Sequence, residues 1–187
     1  MNKDDLRMMI VSAMFSVLIA VGGFIKIPFP AVPMTLQPFF TTLAGLLLGG
    51  KWGARSVLIY ILMGLAGIPV FTKGGGISYV LEPTFGYLTG FFFGTYLTGT
   101  IAHKEKEPGM KRLLIACFAG LAVIYALGMI YLYVMMNYFL GTEMGVKAVI
   151  VSGFLTTIPK DVIVSIICAA IAKKAIPVIR TNFEWVK

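Results

Sequence analysis

Charge is scarce in this sequence. Asp, Glu, Lys and Arg make up 13% of its 187 residues, whereas ordinary soluble domains carry about 25%. A surface that faces water cannot be built from so few charges, and a hydrophobic content of 58% with a mean hydropathy of +0.90 points the same way. The composition therefore excludes an ordinary soluble domain and predicts a membrane protein.

Residue patterns that carry catalysis are also lacking. The one histidine, His103, lies in a charged connection, and there is no Gly-x-Ser-x-Gly segment, phosphate-binding loop or paired acidic cluster. We therefore expect no enzymatic activity and no cofactor, and any energy from ATP has to come from another chain. Cys117 and Cys168 lie inside apolar runs without a CxxC or Cys/His pattern, so we expect buried thiols and neither a disulfide nor a metal site.

Apolar blocks recur along the chain with lengths of about 17 to 25 residues, which cross a hydrocarbon core of ~30 Å as helices. No linker of different composition divides the chain, so we expect one integral membrane domain over residues 1–187. The first block has a basic start but no cleavage site, and we expect it to stay attached. The prediction is an all-α membrane protein, a compact bundle of six transmembrane helices at about 8–25, 34–50, 54–70, 80–102, 111–137 and 147–175.

Basic residues are divided unequally between the two sides of this predicted bundle. Positive residues are retained on the cytoplasmic side of a membrane, and twelve lie on the side of the termini against three opposite. Both termini are therefore predicted to be cytoplasmic, and this asymmetry explains the net charge of +8 better than nucleic-acid binding does. The twelve are Lys3, Arg7, Lys51, Arg55, Lys104, Lys106, Lys111, Arg112, Lys173, Lys174, Arg180 and Lys187, and the three are Lys26, Lys73 and Lys147.

The connections on the two predicted sides differ in composition. Residues 26–33 and 71–78, on the outer side, are rich in Pro and Gly, which is typical of shaped, irregular loops. The inner connections are short and charged. We therefore expect function at the outer face.

Three ionisable residues approach membrane depth: Glu82, Lys160 and Asp161. A charge in the lipid core costs ~2.5–3.5 kcal/mol on insertion scales, so such residues are candidates for function, although a local ion pair is the alternative for Lys160 and Asp161. Pro159 lacks an N–H and disturbs the preceding turn, which predicts a kinked or interrupted helix at 156–161. A break there would place free backbone groups and a carboxylate beside a cavity, as in a ligand pocket.

Seven tyrosines are candidates for the walls of such a pocket, because the ring is apolar and the hydroxyl is polar. Tyrosine at a membrane boundary is more often an interface anchor, so only Tyr87 and Tyr125 are expected to face a ligand. The seven are Tyr79, Tyr87, Tyr96, Tyr125, Tyr131, Tyr133 and Tyr138.

Small residues recur at helical spacing on two of the predicted spans. Ser12, Ser16 and Ala20 leave one face of the first span small enough for another helix to approach, and that helix lies either within this chain or in a partner. The fourth span has the same pattern and is expected to contact neighbours within the bundle through Gly86, Gly90 and Gly94.

Seven linked segments of the sequence carry a family pattern. They are Ala13-Met-Phe-Ser-Val-Leu-Ile-Ala-Val-Gly22, Val32-Pro-Met-Thr-Leu-Gln37, Gly64-Leu-Ala-Gly-Ile-Pro-Val-Phe71, Gly74-Gly-Gly76, Pro83-Thr-Phe-Gly-Tyr-Leu-Thr-Gly-Phe91, Tyr125-Ala-Leu-Gly-Met-Ile-Tyr131 and Pro159-Lys-Asp161. In this order they resemble the BioY family, and the resemblance covers nearly the whole chain.

The resemblance implies a role in transport. BioY proteins are the substrate-binding (S) components of energy-coupling factor (ECF) transporters for biotin, which implies a six-helix bundle in the cell membrane that captures biotin from outside. The implied partners are a transmembrane coupling protein and two cytoplasmic ATPases, and the bundle is expected to tip within the membrane to release biotin. The alternatives are an S component for another vitamin, since six spans do not choose the ligand, and a membrane enzyme or other non-transport membrane subunit.

The chemistry of biotin suits several residues of these segments. Biotin has a ureido ring with two N–H donors, a thioether ring and a carboxylate tail. By the resemblance, Asp161 is expected to accept the donors, and Lys73 or Lys160 to meet the carboxylate. The rest of the expected substrate site is Thr35, Gly74, Gly75, Tyr87 and Tyr125, and the expected docking face for a partner is Ser12, Ala13, Ser16 and Ala20.

Two positions depart from the family pattern. The family's Pro-Gly-Asp-x-x-Lys reads here as Pro159-Lys-Asp161-Val-Ile-Val164, so the expected lysine is missing at Val164 and Lys160 is its substitute. Val17 stands where the docking pattern has a small residue after Ala13. In this chain the neighbouring small residues, Ser12, Ser16 and Ala20, are expected to take over that role.

Overall fold

The structure is a computed structural model that describes residues 3–29 and 32–182. Lys187 and the side chain of Arg180, both counted for the predicted orientation, lie outside the described part. The helices, in chain order, are α1 (Lys3–Phe24), α2 (Gln37–Leu65), a 3₁₀ helix (Ile77–Leu81), α3 (Phe85–Ala102), α4 (Met110–Val134), α5 (Val146–Ile150) and α6 (Ile158–Asn182). Two short antiparallel strands, β1 (Lys26–Ile27) and β2 (Met34–Thr35), join α1 to α2.

Helix α2 is folded back on itself at Gly49. This glycine has φ 80° and ψ 174°, a backbone conformation that residues with a Cβ rarely adopt. In a straight helix Gln37 and Tyr60 would lie ~34 Å apart, at 1.5 Å per residue, yet the Gln37 amide donates to the Tyr60 hydroxyl at 2.7 Å. The two halves of α2 therefore run antiparallel, along the predicted spans at 34–50 and 54–70.

The last predicted span is interrupted, as Pro159 predicted, but the break begins earlier than expected. Helix α5 runs into a π-helical turn at Val151–Leu155, and α6 begins at Ile158. Pro159 lies in the first turn of α6, where its missing N–H costs no helical hydrogen bond. Lys160 and Asp161 therefore lie at the start of a regular helix, immediately after the break.

Four helices of the described part are long and apolar enough to cross a membrane: Lys3–Phe24, Gln37–Leu65, Met110–Phe139 and Val146–Ile179. The folded α2 is one of these four helices, and α3, which is long enough with 18 residues but less apolar, is not among them. Of the predicted all-α membrane bundle, the helical membrane character is confirmed, since 78% of the residues are helical. The number of six crossings stays a prediction. Cys117 and Cys168 are both free and buried, as predicted.

Helices α3 and α4 approach closely along the glycines of the predicted fourth span. A Cβ added to Gly90 would lie 2.8 Å from the Ile124 carbonyl oxygen, and one added to Gly94 would lie 2.7 Å from the Gly120 carbonyl oxygen. Real Cβ atoms do not come so near, so only glycine allows this separation of the two backbones. The prediction that Gly86, Gly90 and Gly94 contact neighbours within the bundle is confirmed.

The small face of α1 contacts the second half of α2. Ser12, Ser16 and Ala20 are all buried, and the Ser16 hydroxyl donates to the Ser56 carbonyl in the second half of α2 at 2.7 Å. In this structure these small residues serve a helix contact within the chain, and the predicted docking role of the three stays a prediction. Of the predicted docking face, only Ala13 is exposed.

Replacing Ser16 by Leu is therefore expected to destabilise the protein. The Ser16 side chain is 0% exposed, so a larger one forces α1 away from α2, and the hydrogen bond to Ser56 is lost. We expect the free energy of unfolding to fall by about 2–3 kcal/mol, measured as thermal unfolding in detergent. Val17→Leu is the matched control, because Val17 is 57% exposed on the same helix. Equal melting temperatures for the two variants would contradict this helix contact.

Candidate functional site

A cavity lies between the helices at the end of the bundle that carries the 25–36 and 66–84 connections. It is narrow, about 50 Å³, which is room for a few water molecules. Both halves of α2, helices α3, α4 and α6, and the connections contribute to its lining. The lining residues are Val32, Pro33, Met34, Thr35, Gln37, Pro38, Tyr60, Thr72, Tyr79, Thr84, Tyr87, Leu88, Phe91, Ile124, Tyr125, Thr157, Lys160 and Asp161.

Asp161 supplies a carboxylate to this cavity and is only 4% exposed. The Tyr125 hydroxyl donates to Asp161 Oδ2 at 2.6 Å, and the Thr157 hydroxyl lies 2.8 Å from that of Tyr125. The Lys160 ammonium lies 2.7 Å from Asp161 Oδ1. A charge is costly to bury without partners, so these neighbours hold Asp161 in place as an acceptor.

Lys160 joins α6 to the connection between α1 and α2. Its Nζ donates to the Thr35 carbonyl at 2.5 Å while it pairs with Asp161, and its side chain is 29% exposed. The ion pair that was the alternative to a functional role is therefore present. Both members of the pair, Lys160 and Asp161, also line the cavity, so a ligand in the cavity would contact them.

Two buried side-chain oxygens of the described residues have no hydrogen-bond partner: Thr84 Oγ1 and Asp161 Oδ1. Lys160 is close to Asp161 Oδ1, but its approach lacks the angle of a hydrogen bond, so this oxygen keeps its capacity to accept one. Buried polar groups are nearly always partnered, and both exceptions line the same cavity. The cavity therefore offers a carboxylate oxygen and a hydroxyl to a polar ligand.

Gln37 and Tyr60 form a second polar group in the lining. The Thr35 hydroxyl donates to Gln37 Oε1 at 3.2 Å, the Gln37 amide donates to the Tyr60 hydroxyl at 2.7 Å, and that hydroxyl donates to the Val70 carbonyl at 3.3 Å. These bonds tie β2, both halves of α2 and the following connection together. They close this side of the cavity in the conformation described here.

Tyr87 and Tyr125 supply aromatic walls. Their rings meet edge to face with centroids 6.3 Å apart, and the Phe154 ring meets Tyr125 in the same way at 4.9 Å. The Tyr87 hydroxyl donates to the Gly153 carbonyl at 2.8 Å, a backbone group of the π-helical turn. The break before α6 is thus held against α3 at the cavity.

The structure brings five of the predicted substrate-site residues to the cavity and leaves three outside its described lining. The five are Thr35, Tyr87, Tyr125, Lys160 and Asp161. Gly74 instead closes a tight turn with Phe71, and Gly75 contacts the backbone of Ile68. Both glycines shape the loop beside the cavity, and their predicted role in substrate binding stays a prediction.

Lys73, the third residue outside the lining, belongs to a separate open cleft of about 450 Å³. Its Nζ lies 2.6 Å from Glu82 Oε2, and the two side chains are 55% and 32% exposed. Glu82 is therefore paired at the surface and not isolated in lipid. The other residues of this cleft are Leu81, Pro83, Met136, Leu140 and Met144.

Several lining residues were missed by sequence reasoning. Gln37 and Thr84 lie inside the segments at 32–37 and 83–91 that carry the family pattern, and this position could have identified them as site residues. Tyr60 and Thr157 carry no such signal, because a single polar side chain within an apolar span does not reveal which neighbour it faces.

Helices of membrane-spanning length that surround a narrow, polar-lined cavity define a membrane-embedded protein that binds a small ligand. Comparison with known proteins gives the family: a model of the BioY family matches residues 1–181. The chain belongs to the BioY family.

Individual relatives agree with this assignment. The chain is 45% identical over 181 residues to a probable biotin transporter BioY of Lysinibacillus sphaericus, with 97% of this chain and 92% of that protein covered. It is 38% identical over 168 residues to the biotin transporter BioY of Thermotoga maritima, with 89% and 94% covered. It also matches the 2.1 Å crystal structure of the S-component for biotin from an ECF-type ABC transporter. That match has a TM-score of 0.79 and 28% identity, with 94% of this chain and 93% of that chain covered.

Proposed function

We propose that this chain is the biotin-binding S component of an ECF-type uptake transporter, a multi-pass protein of the cell membrane and not an enzyme. It captures biotin from outside and delivers it with a separate ATP-driven coupling module. One observation carries the proposal: a chain of the BioY family encloses a cavity lined by Asp161 Oδ1, whose one described partner is the Lys160 ammonium, and by the Thr84 hydroxyl, which has no hydrogen-bond partner among the described residues.

The architecture that fits this role is a bundle of six crossings with both termini in the cytoplasm. Helices α1 and α4 and the α5–α6 segment supply one crossing each, and α2 supplies two because it reverses at Gly49. Helix α3 is the sixth; its 18 residues are near the lower limit of the ~17–25 that span a bilayer. The excess of Lys and Arg on the side of the termini supports the orientation.

Asp161 and Thr84 are the proposed partners of the ureido ring. Asp161 Oδ1 accepts an N–H of the ring, and the Thr84 hydroxyl donates to its carbonyl, which satisfies both unpartnered oxygens of the lining. Tyr87, Leu88 and Phe91 supply apolar surface for the fused rings. A few placed polar groups within an apolar wall are typical of small-molecule sites.

Lys160 is the proposed partner of the biotin carboxylate. It lines the cavity, whereas Val164, at the position of the family's lysine, is buried in an apolar cluster. The Lys160 ammonium now donates to the neutral carbonyl of Thr35. Because Lys160 Nζ also lies 2.7 Å from Asp161 Oδ1, it has to leave that oxygen to reach a carboxylate at the far end of the biotin tail, where two opposite charges then meet.

Biotin binding requires the walls of the cavity to move apart. The cavity is about 50 Å³ in this conformation, and small-molecule pockets are typically ~300–1,000 Å³. The lining residues 32–35 lie in the connection between α1 and α2, outside the helices. They are the part of the wall that moves with the least disruption of helix contacts.

The proposed partners are a transmembrane coupling protein and two ATPase subunits. Ala13 is the residue of the predicted docking face that remains exposed, and a small side chain lets a partner helix approach closely. The face of α1 around Ala13 is therefore the proposed docking surface.

Retention of radiolabelled biotin by the purified protein tests the proposed function. We expect retention that unlabelled biotin abolishes and that thiamine and riboflavin leave unchanged, because the polar groups of the cavity match the ureido ring. Displacement by one of the other two vitamins would make the chain an S component for that vitamin. No retention of biotin would contradict the proposal.

A further inference from the structure

The open cleft at Lys73 and Glu82 adjoins the inner cavity. Thr72 and Thr84 line the inner cavity, and their sequence neighbours Lys73 and Pro83 line the cleft. The wall between the two spaces is therefore one residue thick at both places. A ligand in the cleft is therefore separated from the inner cavity by the chain at Thr72–Lys73 and at Pro83–Thr84.

Part of this wall is a turn and not a helix. Phe71 and Gly74 exchange backbone hydrogen bonds of 2.9 Å and 3.1 Å, and Gly74 has φ 116°, a value that favours glycine. The Lys26 ammonium contacts the Thr72 carbonyl from the connection between α1 and α2. The buried Phe71 ring packs against Tyr60 and Tyr79 and anchors the start of the turn, whereas Lys73 at its tip is exposed and can move without unfolding a transmembrane helix.

The cleft has the chemistry of a site for an amphiphilic anion. Lys73 supplies a cation, and the side chains of Met136, Leu140 and Met144 supply an apolar surface that adapts to its occupant. At about 450 Å³ the cleft falls in the range of small-molecule sites, ~300–1,000 Å³. Because exposed ion pairs are weak, a competing carboxylate can replace Glu82 on Lys73.

We propose that this cleft is the first site at which biotin binds before it enters the inner cavity. Lys73 receives the carboxylate in exchange for Glu82, and Met136, Leu140 and Met144 cover the aliphatic tail. This inference rests on the proposed function. The two lysines then act at different steps of binding: Lys73 contacts the carboxylate of incoming biotin, and Lys160 contacts it once biotin lies in the inner cavity.

Charge changes in the cleft therefore alter how fast biotin associates. Lys73→Gln leaves the Glu82 carboxylate facing the incoming anion and lowers the association rate constant, whereas Glu82→Gln frees Lys73 and raises it. One exposed charge near contact distance changes the rate about fivefold at low salt. The effect fades as added salt shortens the Debye length.

Stopped-flow binding to the purified full chain tests this role with two probes, biotin and its uncharged alcohol, biotinol. For biotin we expect association rates that change about fivefold in opposite directions in the two variants, with dissociation rates unchanged within about twofold. For biotinol we expect no change. Glu105→Gln is the matched control, because Glu105 is paired to Arg112 at 2.8 Å in a connection away from the cleft, and it should change neither rate.

Unchanged association rates in a parent protein that binds biotin would overturn the capture role and leave the proposed function standing. Equal effects on biotin and biotinol would also overturn it, since they would reflect a change of shape and not of charge. Absence of biotin binding to the parent protein would overturn the proposed function and the capture role together.

Discussion

Asp161→Asn is expected to lower the affinity for biotin about ten- to a hundredfold while the protein stays folded. The asparagine keeps the size of the side chain, and its oxygen can still accept from Tyr125. Its NH₂ group then takes the place of Oδ1, so a donor faces the N–H donors of the ureido ring. Losing a hydrogen bond to a charged group costs about 1.5–3 kcal/mol, which corresponds to this range of affinity.

Calorimetric titration with biotin and thermal unfolding without ligand, on the same sample, separate this result from a purely structural role. If Asp161 only balances Lys160, the substitution should lower the melting temperature and leave the affinity unaltered, because a partly buried cation loses its partner. Asp5→Asn is the matched control, since Asp5 is an exposed carboxylate in the first turn of α1. It should change neither quantity.

Gly94→Leu is expected to have the largest effect on the fold. A Cβ at this position would already lie 2.7 Å from both the Gly120 carbonyl oxygen and the Ile124 side chain. The leucine therefore separates α3 from α4, and with them the cavity walls at Tyr87 and Tyr125. We expect the free energy of unfolding to fall by about 3 kcal/mol, seen as a lower melting temperature and a lower yield of monodisperse protein.

The control for this variant is Gly109→Leu. Gly109 precedes α4 with φ −67°, and a Cβ there meets no other atom within 4 Å. This substitution should cost about 1 kcal/mol, the difference between Gly and Leu as an N-cap. Equal stabilities of Gly94→Leu and Gly109→Leu would show that α3 and α4 do not approach as closely as described.

The two charged residues that sequence reasoning found in the cavity lining are rare in their surroundings, whereas Thr35, Tyr87 and Tyr125 were expected from the family resemblance. Lys160 and Asp161 interrupt an apolar run, and Pro159 marked the break beside them; the structure places both charges in the cavity lining. The cost of a charge in lipid is a local property, so it can be predicted without knowing the fold. The boundary between the predicted spans at 34–50 and 54–70 came from a short charged interruption, and the structure reverses α2 close to it, at Gly49.

The remaining site residues depend on contacts between distant parts of the chain. Spacing showed that Ser16 permits a close helix approach, but not that the partner is Ser56 of the same chain. Thr72 and Lys73 are neighbours in sequence, yet Thr72 lines the inner cavity and Lys73 lines the outer cleft. That difference arises from the turn at Gly74, whose backbone conformation the sequence does not specify.

The structure of the purified protein determined with biotin bound is the most direct test of the central claim. The account predicts density for a bicyclic ligand in the inner cavity, with a ureido nitrogen within hydrogen-bond distance of Asp161 Oδ1 and the carboxylate at Lys160. Residues 32–35 should be displaced outward relative to the structure described above. Biotin bound elsewhere, or bound in this cavity with its ureido ring turned away from Asp161, would contradict the account.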